Sequence, residues 1–400
     1  MERNPLHPKP SARLPALDAI RNLKMARSAH AYVRGNTVKF YEWLTKSDRT
    51  VLPEGPDVWI CGDCHLGNLG PIASTKGRVE IQIRDLDQSV IGNPAHDLIR
   101  LALSLATAAR GSDLPGVTTA HILEEMMSGY EAAMAAPDTA VEEADMTKPV
   151  QLVLKEALKR KWQHLATERI EDVSPAIPLG KQFWGLTSTE KAEIRRIFKT
   201  EQARELLTRI HDRNNDAQIR VVDAAYWVKG CSSLGRLRYA ALLQIGKRRF
   251  CLVDIKEAVK AAAPRSPSAR MPANDAVRVV TGARRLSPFL GDRMLPAKLL
   301  NRPVVVRELL PQDLKLEMTQ ITREEARDAA RFLATVVGKA HARQMDSDTR
   351  ERWSAELGRS RTKTLDAPSW LWTSVTELIA SHELGYLEHC RKYALLLASA

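Results

Sequence analysis

Apolar positions along the chain recur with two different periods, and proline and glycine breaks separate the stretches. Residues 15–46 predict helix: Leu17, Ile20, Leu23, Met25, Val38, Phe40 and Leu44 offer a face to bury, and Pro53, Gly55 and Pro56 end it. Residues 1–14 carry charges and prolines without an apolar stripe and read as a floppy arm. Val58-Trp59-Ile60 predicts a short buried strand. Residues 79–83 alternate apolar with polar and predict a second strand, with Gly77 in the turn between. The run 96–110 is apolar on most sides, through Leu98, Ile99, Leu101, Leu103 and Leu105, and predicts a buried helix. A further helix is expected over 118–134, a polar link over 135–148, and two or three helices over 149–213. Thr187 with Glu190 forms a capping-box start for one of these.

The period changes at about residue 216. Segments 218–222, 224–228, 238–245 and 250–255 are strand-like, with turns at Gly230, Gly235 and Gly246, and predict a small antiparallel sheet. Residues 261–272 read as a mobile loop, 274–285 as a helix and 303–309 as another strand. Thr322 with Glu325 opens a long helix whose Ala326, Ala329, Ala330, Leu333, Val336, Val337 and Ala340 keep one buried face, and 369–397 is helical again. The expected class is α+β in two lobes. A helical lobe spans 1–215, a small β-rich lobe spans 216–310, and helices over 311–400 return to the first.

Charge sharpens this picture more than composition does. The net charge of +12 favours an anionic partner: nucleotide, phosphorylated metabolite, nucleic acid or acidic membrane surface. Its rival reading is a solvated basic surface. Aromatic residues are 5% of the chain, too few for a base-stacking platform, so nucleic acid is not the expected partner. No run approaches the roughly 18–20 apolar residues of a membrane span. Five cysteines, no even framework and no secretory signal point to reduced cytoplasm.

The chemistry concentrates in Cys61-Gly62-Asp63-Cys64-His65-Leu66-Gly67-Asn68, followed by Ile83-Arg84-Asp85-Leu86-Asp87. An Asp with an Asn five positions on, then an Asp at a strand end, is the layout of a phosphoryl-transfer loop and its metal site. Asp63 would take the proton of an attacking hydroxyl. Asn68 and Asp85 would hold Mg²⁺, and Asp87 either binds a second ion or caps the turn. Asp97 is expected to fix the loop by accepting backbone hydrogen bonds. Three rival readings use the same residues: a c-type haem attachment at Cys61-x-x-Cys64-His65, a zinc site, and a polar turn. Haem needs export, and zinc needs ligands that the isolated Cys231, Cys251 and Cys390 do not supply.

Downstream, Gly230-Cys231-Ser232-Ser233-Leu234-Gly235 has the glycine separation of the outer pair in a phosphate-covering loop, with Ser232 at the middle position. A small-residue hairpin turn is its rival. Leu252-Val253-Asp254-Ile255-Lys256 ends a strand in lysine, as the nucleotide-pairing strand of kinases does, and Asp254 and Lys256 share one face. His341 reads as packed or on the surface rather than catalytic, and His65 as orienting the loop.

These residues resemble the catalytic and metal segments of aminoglycoside phosphotransferase-like small-molecule kinases. The whole chain also resembles a bacterial family, domain of unknown function 2252. That likeness runs through Tyr32-Val33-Arg34-Gly35, the Asp63 loop, Gly230–Gly235, Ile255-Lys256-Glu257-Ala258, Val305-Val306-Arg307-Glu308 and Lys339-Ala340-His341-Ala342-Arg343. The resemblance implies a protein kinase-like fold in circularly permuted order, because the catalytic loop leads and the lysine follows. It implies Asp63 as base, Asn68, Asp85 and Asp87 as metal residues, and Gly230, Ser232, Ser233, Gly235 and Lys256 as phosphate contacts. Residues 304–308, ending in Glu308, would be the hinge that holds an adenine. The expected activity is ATP- and Mg²⁺-dependent phosphotransfer to a small-molecule acceptor. The alternatives are a nucleotide-binding regulatory or nucleotidyl-transferring protein, and a basic nucleic-acid binder. No glutamate clearly awaits Lys256 in the helix 274–285; Asp275 is the substitute that helix offers.

Overall fold

Pro10 opens α1 (Pro10–Ala26), because proline suits the first helical turn. The helix starts earlier than the apolar stripe predicts, so residues 10–14 are helix rather than arm. The gain is a buried pair: Arg13 Nη1 donates to Glu190 Oε1 at 2.5 Å. The computed structural model describes residues 8–46, 52–139, 146–170, 176–210, 213–230, 234–247, 249–314, 316, 322–359, 361 and 367–393. Ser28 caps α2 (Ala29–Gly35), and α3 (Thr37–Lys46) follows, so the single expected helix is broken twice.

Four short strands come next: β1 (Val58–Ile60), β2 (Leu69–Ala73), β3 (Val79–Ile83) and β4 (Val90–Gly92). β1 pairs with β4 and β2 with β3, both antiparallel. The sequence pattern missed β2 and β4. Gly70-Pro71 disguises the one and three-residue length the other. α4 (Ala95–Gly111) is buried along most of its length, as its all-round apolarity predicts, and α5 (Gly116–Ala135) follows. α6 (Lys148–Lys159) and α7 (Trp162–Ile170) lead to β5 (Phe183–Trp184), α8 (Ser188–Ile197) and α9 (Glu201–Thr208). Both halves of the Thr187–Glu190 capping box form.

The remaining strands are β6 (Ile219–Trp227), β7 (Arg238–Ile245) and β8 (Arg249–Glu257), then β9 (Met294–Leu299) and β10 (Arg302–Leu309). With β5 they make one antiparallel sheet in the order β5-β6-β7-β8-β10-β9. Between β8 and β9 lie α10 (Asp275–Leu286) and α11 (Pro288–Gly291). The loop 261–272 is pinned rather than mobile: Ser266 N–H donates to Ile91 O, and the Ser266 and Ser268 hydroxyls both donate to Asp57. α12 (Arg323–Ala342), α13 (Ser347–Gly358) and α14 (Ser369–Tyr393) close the chain. α12 lies close on α5, where a Cβ at Gly129 would stand 2.1 Å from Arg331 O.

The architecture is α+β, a small antiparallel sheet region beside a larger helical one. Side chains alternate across a strand, so the sheet has two distinct faces. Tyr239, Ala241, Leu243, Val253, Ile255, Val304 and Val306 face α1, α8 and α9. The opposite face carries Ala240, Leu242, Leu252 and Leu309 under Leu165 and Ala166 of α7. On that same face, one end is charged: Arg238, Asp254, Lys256 and Arg307 stand on paired positions. No described helix is long and apolar enough to cross a membrane.

Candidate active site

The Asp63 loop is held from beneath. Asp97, in the first turn of α4, accepts from Cys61 N–H at 2.6 Å and from Gly62 N–H at 2.9 Å. Its Oδ2 also lies 3.2 Å from His341 Nε2. His341 Nδ1 lies 2.9 Å from Tyr130 OH, to which Trp353 Nε1 donates at 3.2 Å. Asp97 and His341 are 0% exposed; Asp97 braces the loop as the sequence predicts, and His341, expected to be packed or on the surface, is packed behind it. Tyr41 OH adds a bond to Gly62 O at 2.6 Å.

Asp63 lines a cavity of about 560 Å³. Its Oδ1 accepts from Arg100 Nε at 3.0 Å, with Nη2 of the same guanidinium also 3.0 Å away. That leaves Oδ2, with His65 Nε2 at 3.9 Å, as the freer carboxylate oxygen. Arg100 is fully buried on α4 and also donates to Val33 O. Sequence reasoning missed it. The signal was present, since an arginine inside an apolar run is buried only with a partner. Burial pushes the His65 imidazole down to about 3, and Arg34 and Arg100 act in the same direction against Asp63, so the ring is neutral.

Asn68, expected as a metal ligand, is instead a clamp. Its Oδ1 accepts from Asp85 N–H at 2.7 Å, and its Nδ2 donates to Asp85 O at 2.7 Å and to Asp63 O at 3.3 Å. The amide therefore fixes the spacing of the two acids. Arg278 does the same for the next turn, donating to Asp87 O, Ser89 O and Val259 O.

Lys256 reaches across from β8. Its Nζ donates to Asp85 Oδ2 at 3.1 Å and also bonds Asp87 Oδ2. The surrounding protein disfavours charge on both acids, but Lys256, with Arg238 and Arg307, holds the Asp85 carboxyl well below the usual carboxylate range. Burial, and then the Asp85 charge, push Asp87 up. Burial opposes the Lys256 ammonium, but the two aspartates raise it overall. Among the described residues no glutamate contacts Lys256; its partners are Asp85 and Asp87, and Asp275 pairs with Arg278 at 3.0 Å.

The donor set suits magnesium bound through substrate. Among the described residues no three His, Cys, Asp or Glu side chains gather to cage an ion. Asp85 and Asp87 line the cavity, and two such carboxylates would suit Mg²⁺, an ion commonly held by one or two carboxylates with water and phosphate oxygens. Cys61 and Cys64 are buried free thiols, and burial raises the Cys61 thiol well above its ordinary value, so it stays protonated.

The cavity wall is strongly basic. Lys24, Arg27 and Arg34 come from the α1–α2 region, and Lys229, Arg236, Arg238 and Arg307 from the sheet region, with Arg84 and Arg169 beside them. Burial and the neighbouring arginines push Lys229 well below its ordinary value. Gly230 lines the cavity, and its carbonyl accepts from Lys24 Nζ at 3.1 Å. Ser232 and Ser233 lie outside the described residues. Gly235 does not line the cavity; it packs toward Leu14 of α1.

The expected hinge is not open. Glu308 does not line the cavity: its carboxylate pairs with Arg213 at 2.7 and 2.8 Å, and its carbonyl accepts from Arg293. Just beyond, Arg160 Nε donates to Pro311 O at 2.8 Å, and Leu309 packs in the cluster with Leu165 and Ala166. The apolar part of the sheet face where a flat base would stack is thus covered by the chain's own α7.

A family model described as "Uncharacterized protein conserved in bacteria (DUF2252)" matches residues 13–392. No curated protein and no solved structure matches the chain.

Proposed function

The chain belongs to this bacterial family, so its chemistry must be argued from the site, and we propose that it is a Mg²⁺-dependent phosphotransferase of permuted kinase-like design. It moves a phosphoryl group from ATP to a small-molecule acceptor. One observation carries the reading: Lys256 Nζ stands 3.1 Å from Asp85 Oδ2, although 171 positions separate them, on a cavity that Asp63 also lines. The permuted order has its own support. Gln344, just past α12, donates to Trp59 O and accepts from Trp59 N–H, so the end of α12 meets the start of β1. A new terminus at an exposed site leaves such a junction intact.

In this reading Asp63 Oδ2 accepts the proton of the attacking hydroxyl, while Arg100 keeps the carboxylate aimed. Asp85 and Asp87 would hold Mg²⁺, which supplies neutralising charge to the donor phosphates. Lys256 gives up its aspartate contacts in part and takes a phosphate oxygen. Arg238 and Arg307 offset the charge that develops during transfer.

Asp63→Asn should lower ADP release from ATP by about 10²–10⁴-fold, the usual contribution of a positioned general base. Stabilisation of the protein by ATP and Mg²⁺, read as a Tm shift, should survive. Unchanged turnover in this variant removes the reading. A second reading, a nucleotide-binding protein without transfer, is favoured by the α7-covered face. It expects the same Tm shift with no ADP released by the unaltered protein.

A further inference from the structure

The basic residues of the cavity fall into two kinds. Those on the sheet face have partners. Arg238 makes a bidentate pair with Asp254 at 2.9 and 2.6 Å, and Arg307 donates to Arg84 O and lies 3.7 Å from the same Asp254. Arg34 and Arg236 are different: among the described residues neither guanidinium makes a hydrogen bond or an ion pair, and the carboxylate that Arg236 acts on, Asp87, is already bound by Lys256. Arg34 lies directly on the Asp63 loop. A Cβ at Gly67 would stand 2.7 Å from its Cζ, so the loop's glycine makes the space the guanidinium occupies. Beside it His65 is 8% exposed, with its Nδ1 buried and unpartnered among the described residues.

A second cavity, of about 490 Å³, adjoins the first and shares Thr37, Gln88 and Arg236 with it. Arg21 and Lys260 make its wall basic as well. Guanidinium groups whose donors have no paired oxygen gain most from an incoming anion, and their planar fork matches phosphate oxygens. The position is on the Asp63 side, where an acceptor hydroxyl must come.

We propose that the acceptor is itself a phosphate ester, an alcohol whose existing phosphate is gripped by Arg34 and Arg236 at the junction of the two cavities. Its free hydroxyl then reaches Asp63, and its remainder occupies the second cavity. The acceptor role rests on the phosphotransfer reading; the anion subsite does not. Like charge along this wall disfavours a polycationic acceptor of the aminoglycoside kind.

The test uses the full chain saturated with a non-hydrolysable ATP analogue and Mg²⁺. Inorganic phosphate is titrated as the probe and followed by Tm and calorimetry. Phosphate should bind, and Arg34→Gln combined with Arg236→Gln should weaken it at least tenfold. Arg78→Gln, an exposed arginine outside both cavities, controls for the charge change. Transfer from labelled ATP is then compared across alcohols offered in free and phosphorylated form, and label should enter phosphorylated members. Phosphate binding that survives the double substitution, or transfer to uncharged alcohols alone, overturns the proposal. Arginine-dependent phosphate binding without any ADP release upholds the subsite and removes the phosphotransfer reading instead.

Discussion

Single residues do most of the positioning. Asp63 has one carboxylate oxygen bound by Arg100 and the other 3.9 Å from His65 Nε2, and Asp97 holds the loop backbone through two amide hydrogens. The motif spacing made Asp63, Asp85 and Asp97 legible, because loop chemistry is written in neighbouring residues. Arg100, Arg278 and Arg213 were not, because each finds its partner through packing. Buried neutral histidines give a pH signature. Burial drives His65 down to about 3 and His382 down to about 4, from an ordinary 6.5. Between those values the unfolded chain binds protons that the fold refuses. Stability therefore falls as the pH drops from 6.5 toward 4, by about 1.4 kcal/mol per pH unit for each histidine. Asp85, held low by Lys256, adds its own loss as the pH falls below the ordinary carboxylate value. Urea midpoints at pH 7, 5.5 and 4.5 measure the slope. His382→Gln should flatten it, and an unaltered slope would refute the assignment.

At the scale of elements, the capping boxes and the buried α4 behaved as their patterns predict. The short β2, β4 and β9 escaped notice because three to six residues carrying Gly or Pro give no clear period. The consequential element is α7. Leu165 and Ala166 sit on Leu242, Leu252 and Leu309, over the face next to Lys256. If a base stacks there, α7 must yield its place, and the cost of displacing it lowers apparent affinity. Leu165→Asp loosens that contact and should tighten ATP binding about tenfold by calorimetry. Unchanged affinity would seat the base away from this face.

The whole molecule joins its two regions through buried ions. Arg293 is fully buried, makes two 2.9 Å bonds to Asp313 and donates to Glu308 O, tying β10 to the segment leading toward α12. A lysine cannot reproduce that fork, so Arg293→Lys should cost about 3 kcal/mol. Urea transitions by tryptophan fluorescence and by circular dichroism should then cease to coincide; coincident curves at wild-type stability would show that the joint lies elsewhere. The sequence by itself determined the helices with caps, the alternation of the central strands, and the acids of the Asp63 loop. Those follow from interactions within a few residues along the chain. Only the tertiary structure decided that Lys256 meets Asp85 and Asp87, that Glu308 turns to Arg213 while Asn68 becomes a clamp, and that α7 covers the apolar face. With 60 basic and 48 acidic residues the pairing is degenerate along the chain. A buried charge takes whichever opposite charge the packing delivers, and no local pattern encodes that choice.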